Sequence, residues 1–214
     1  MTTLARSVLT APFRAMTWRR TLYGLLGLPV AAVGFALLMT GVIASIPLMI
    51  VLLGTLVFLL SAAVAGRVAA FERGRARFLL RADVGEPHER PRVEGRLLRR
   101  FGARVGSWRT WREILFVVFN LPVSFVVFFL CVYPWIQVAY SISYPIVFWG
   151  AEFGPDSWGG PSWLGVIAVH SLPGYALLFA TPWIVWGATW LQVRWIQLMT
   201  GSPRNRSLGA SSGT

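Results

Sequence analysis

The residues of this chain that could do chemistry are few and scattered: two histidines, one cysteine and eight carboxylates among 214 residues. Glu152, Asp156 and His170 come nearest to a metal-ligating set, since carboxylate oxygen and imidazole nitrogen are what divalent cations take. Nothing in their spacing makes them converge, so no metal is expected. The chain has no glycine-rich phosphate loop with a lysine, no Cys-x-x-Cys, no His-Glu-x-x-His and no nucleophile with a base and an orienting group. Neither enzyme activity nor a cofactor is expected. Cys131 sits in an apolar run and reads as a packing residue, and His88 reads as a solvated surface group. Asn120, Gln137 and His170 lie in apolar stretches, where a polar group is costly unless it meets a partner or a cavity. Together with Glu152 and Asp156 they are the candidates for interhelical contact or for sensing.

The elements that must position these residues are membrane helices. A composition of 56% hydrophobic and 13% charged residues with 11 tryptophans does not describe a soluble domain. Three runs carry no charge at all: residues 21–66, 114–151 and 157–193. A helix crossing about 30 Å of hydrocarbon needs roughly 20 residues. The first run therefore holds two crossings and each of the others one. They are expected at residues 22–40, 42–65, 114–133 and 163–190, with a tight turn at Thr40-Gly41. The first run is too long for a signal-peptide core and lacks a small-residue exit, so it should persist as a helix. Within the Trp- and Tyr-rich residues 134–162, the apolar stretch 134–150 has only 17 residues and two prolines, too short for a fifth crossing. An outer aromatic segment, interfacial or re-entrant, is expected there.

All 20 basic residues are arginine, and the net charge is +12. Four arginines precede the first crossing, thirteen lie between Arg67 and Arg112, and three follow the last crossing. An excess of basic residues marks the cytoplasmic side. Both termini and the 66–113 linker are accordingly expected inside, in a multi-pass plasma-membrane protein that meets anionic lipid rather than nucleic acid. In "GRLLRRFGARVGSW" the apolar side chains recur at helical spacing with arginines on the other faces, as in a helix lying on an anionic leaflet. Residues 1–201 are expected to form one domain, and the Gly/Ser-rich residues 202–214 a disordered tail.

One phrase occurs twice. "TWRRTLYGLLGLPV", Thr17 to Val30, returns 93 positions later as "TWREILFVVFNLPV", Thr110 to Val123. Trp18 and Arg19, like Trp111 and Arg112, suit the headgroup level of a membrane. Pro29 and Pro122 each remove a helical hydrogen bond and can kink their helices, either to shape the bundle or to act as a hinge. Both copies begin at the cytoplasmic interface and enter the membrane outward, so the expected fold is an all-α four-helix membrane bundle of two parallel helical-pair repeats, with interfacial amphipathic helices.

The doubled phrase, the intervening "ERGRARFLL", the aromatic outer segment and the closing "LLFATPWIVWGATW" resemble the sensor-domain family of high-GC Gram-positive bacteria over about Phe13 to Gly201. The resemblance implies a four-helix membrane module of the kind found at the N-terminus of two-component histidine kinases. Residues 202–214 are too few for a kinase module, so a kinase or regulator is expected as a partner in trans, with a homo-oligomer also open. The rival readings are a small transport or permease-associated subunit and a lipid-organising structural protein.

Overall fold

A computed structural model describes residues 8–49, 53–85 and 97–200. They form a 3-10 turn at Ala11–Phe13 and five helices: α1 Ala15–Leu48, α2 Leu53–Leu80, α3 Leu97–Val105, α4 Trp108–Val147 and α5 Trp163–Thr200. All but α3 are long and apolar enough to cross a membrane. No strand occurs among the described residues. Hydrocarbon offers an amide no partner, so a chain this apolar satisfies its backbone within each segment, as a helix does. The expected all-α membrane fold class is what the structure shows.

The helix ends differ from the sequence expectation in three places. Gly41 is not in a turn: α1 runs on to Leu48, and a side-chain carbon at Gly41 would collide with Ser61 of α2. That glycine serves close helix packing rather than chain reversal. Past residue 66, where a linker was expected, α2 continues to Leu80. Its extension is held by a buried ion pair, and beyond it Arg77 donates to the carbonyls of Val84 and Gly85 at 2.8 and 2.9 Å. The outer aromatic segment begins as helix, because α4 carries through Pro134 and Pro145 to Val147. His88 and residues 202–214 lie outside the described residues.

The chain divides into two compact units, Met1–Leu28 with Ser124–Trp190 and Pro29–Val123 with Leu191–Thr214. In the first unit, α1 begins where the Thr17 hydroxyl donates to the Ala11 carbonyl at 2.8 Å. Trp18 stacks on Trp135 with ring centroids 4.8 Å apart, and the Trp135 indole donates to the Thr21 hydroxyl at 3.1 Å. Gly24 lies against Cys131, where no side chain would fit. As α1 advances from 18 to 24 its contacts retreat from 135 to 131, so the two segments run antiparallel. The indole stack and the missing Cβ bring these two segments together. Gly174 of α5 packs equally closely on Ser141 of α4.

In the second unit, α1 and α2 pack antiparallel through Gly34 on Val68 and Gly41 on Ser61. The buried Ala62, Ala65 and Ala69 of α2, with Gly66 beside them and Ala76 two turns further on, form a small-residue stripe that lets backbones approach. The amphipathic α3, expected on the leaflet surface, has a partner within the protein: Phe101 meets Phe58 of α2 edge-on at 5.4 Å. Phe119 of α4 meets Trp195 of α5 in the same way at 6.4 Å.

Candidate functional site

The polar residues singled out by their setting fall into two groups, one in each unit. In the second unit Asn120 is 1% exposed on α4, and neither its amide oxygen nor its amide nitrogen has a hydrogen-bond partner among the described residues. The α4–α5 pairing, with Arg112 opposite Leu198 and Phe119 opposite Trp195, puts Asn120 level with Gln192, which is also fully buried. An unpaired buried amide costs about 1–3 kcal/mol. Such a cost persists where function requires the group or an unseen partner meets it.

Pro29 lies inside α1 and lines an open, apolar groove of about 520 Å³ between α1 and α2. Val33 and Gly34 continue one wall, and Val64 and Phe71 form the other. Arg67 is the one charged residue in the lining. Pro122 is exposed within α4.

Further along α2 lies an ion pair that sequence reasoning passed over. The Glu72 side chain is fully buried and accepts from Arg75 Nε and Nη2 at 3.2 and 2.5 Å. The second Glu72 oxygen has no partner among the described residues. A pair this deep seldom adds net stability, whereas removing one partner strands the other. Its signal was in the sequence: Glu and Arg three apart within "ERGR", on one helical face.

In the first unit His170 and Tyr144 stack with ring centroids 4.4 Å apart and an interplanar angle of 5°. His170 Nδ1 is 2.8 Å from the Val166 carbonyl, to which it can only donate. Beside them Ser141 and Ser171 are buried, their hydroxyls without partners among the described residues. Gln137 is half-buried one turn before Ser141. Glu152 and Asp156 are exposed in the loop after α4; no three His, Cys, Asp or Glu side chains come together among the described residues. That loop is tied down by the Trp163 indole donating to the Phe148 carbonyl at 2.8 Å. It also turns at Gly159, whose φ of +107° excludes other residues.

The anchors of the doubled phrase make protein contacts. Trp111 donates to the Val105 carbonyl at 2.8 Å, fastening the start of α4 to the end of α3. Arg112 donates to the Leu198 carbonyl at 2.5 Å, near the end of α5, where a cation also complements the helix dipole. Trp18 has its indole stack, and Arg19 is partly exposed beside it.

Four apolar helices with small-residue packing and a few buried polar groups define a multi-pass, all-helical membrane protein. The chain matches the family described as "Putative sensor" over residues 23–199. It belongs to that family. No curated protein and no solved structure matches it.

Proposed function

We propose that the chain is the input module of a signalling pair, a membrane sensor that acts on a separate kinase or regulator. The observation that carries this reading is that, of the three places where the chain passes between the compact units, two are Leu28/Pro29 in α1 and Val123/Ser124 in α4, the third being Trp190/Leu191 in α5. The first two fall within and directly after the repeated Leu-Pro-Val, where a helix lacks a hydrogen bond and bends most readily. A lipophilic molecule in the groove beside Pro29, or a change around His170 and Tyr144, would alter helix tilt and with it the arginine-rich linker. Signalling requires that the two helix settings differ in affinity for stimulus or partner. In this reading the linker and both termini are cytoplasmic, at the anionic leaflet of the plasma membrane, as the arginine distribution favours.

The test places a photo-cross-linking residue at Leu98, which is 61% exposed on α3, and identifies captured proteins in the native host. A histidine kinase or response regulator is expected. Its yield should change when Pro29→Ala and Pro122→Ala are combined, with membrane insertion unaffected. Capture of a transporter ATPase would favour the permease-associated reading. A yield indifferent to the prolines would remove the hinge.

A further inference from the structure

A cavity of about 180 Å³ lies within the second unit, bounded by late α2, the first turns of α4 and the last turn of α5, with Arg73, Trp108, Arg109, Arg112, Glu113 and Thr200 in its lining. Three guanidinium groups meet one carboxylate there. Glu113 accepts from Arg109 Nε at 3.0 Å, while Arg109 Nη1 is buried with no partner among the described residues. Arg112 spends one donor on Leu198 and keeps the rest of its five-donor fork. Arg73 is only 6% exposed. Three guanidinium groups against one carboxylate leave a positive excess in the lining, and the start of a 40-residue helix adds its own partial positive charge at this place.

We propose that this cavity binds a phosphate group, carried by a phospholipid headgroup or present as free inorganic phosphate. Planar guanidinium forks match phosphate oxygens two at a time. The volume equals that of about six waters at ~30 Å³ each, enough for a phosphate with its ester substituent. Trp108, 70% exposed, is the residue type that settles at headgroup level. The site is independent of the sensor reading: it follows from charge and geometry, whatever the chain reports to.

The full chain, reconstituted in vesicles of equal parts phosphatidylglycerol and phosphatidylcholine and then released for native mass spectrometry, tests the lipid arm. Delipidated protein in detergent, titrated with inorganic phosphate against chloride at equal ionic strength and followed by thermal unfolding, tests the other. Selective retention of phosphatidylglycerol without competition by phosphate identifies the headgroup. Stabilisation by phosphate, with displacement of the lipid, identifies the free anion. Either supports the site. Arg112→Gln is expected to weaken binding about tenfold through loss of a charge-assisted bond. Because Arg112 also holds Leu198, Glu113→Gln supplies a second reading: it removes the competing carboxylate and frees Arg109, so binding should tighten about threefold or more. The site is overturned by no lipid preference together with no phosphate effect, or by Glu113→Gln binding no better than the natural chain.

Discussion

In the first copy of the repeated phrase Trp18 lies flat against Trp135; in the second, Trp111 uses its indole N–H to hold the Val105 carbonyl. The same residue does opposite jobs, packing by its face in one place and bonding by its edge in the other. Deeper in, the copies agree again: Tyr23 and its counterpart Phe116 are both 0% exposed. They then diverge at positions that decide how near a neighbour can come. Gly24 lies against Cys131, whereas its counterpart Val117 fills its own space at 1% exposure. Gly27 has no side chain, whereas its counterpart Asn120 buries an amide. The shared letters are those that start a membrane helix and interrupt the backbone, and between these letters each copy buries one ring, as Tyr23 and as Phe116. The differing letters set the packing distance and introduce polarity, so the second copy alone carries a candidate sensing residue.

The comparison breaks most completely if the copies enter the membrane from opposite faces. Single cysteines at Trp18 and Trp111, in an otherwise Cys131→Ala chain, should both be labelled from the cytoplasmic side by an impermeant maleimide, as the arginine excess requires. The antiparallel packing of α1 on the 131–135 stretch of α4 gives this experiment its edge. Labelling of Trp18→Cys from outside would make the two halves inverted rather than parallel.

A smaller effect comes from exchanging the packing letters. Gly24→Val introduces a branched side chain where Cys131 already sits, and overpacking of this kind costs about 1–3 kcal/mol. Val117→Gly loses a buried side chain and gains backbone freedom, for a total of about 2 kcal/mol. Both should lower the unfolding midpoint of detergent-solubilised protein, and Cys131→Gly should rescue only the first. Rescue of both, or of neither, would mean that the close approach at Gly24 is not what distinguishes the copies.

How much of this was legible follows from what each signal measures. Charge-free length reports how many times a chain can cross hydrocarbon, and the count of four membrane-length helices agrees with it. It is silent on where a helix stops once the chain leaves the bilayer, which is why α2 runs past residue 66 and α4 past Pro134 unannounced. Gly41 was misread because a glycine between apolar runs serves a turn and a close contact equally well, and only the partner, Ser61, separates the two. Asn120 and His170 were visible as polar letters in apolar runs. The surroundings that give them meaning were not, since Tyr144 and Ser171 look like ordinary members of their helices until α4 and α5 are paired. Of the arginines of the 180 Å³ cavity, Arg112 was read as a headgroup anchor and Arg73 and Arg109 only as linker charge, because three residues from two helices gather there only once the fold brings Arg73 beside the start of α4.

The last and smallest effect separates structure from function at the one position where the second copy is polar. Asn120→Leu keeps the volume roughly constant and removes two polar atoms that lack partners among the described residues, so the change should stabilise the solubilised protein by about 1 kcal/mol. An amide kept only for helix pairing would leave signalling output untouched or improved by that gain. An amide kept for sensing predicts a more stable protein that responds less, the trade found where a buried polar group is retained for use rather than for strength. Unfolding of the purified chain and cross-linking yield from Leu98 in the native host, measured on the same variant, give the two readings. Lower stability would show that Asn120 has a partner worth more than its burial costs; higher stability with unchanged yield would take Asn120 out of the sensing site and leave His170 as the stronger candidate.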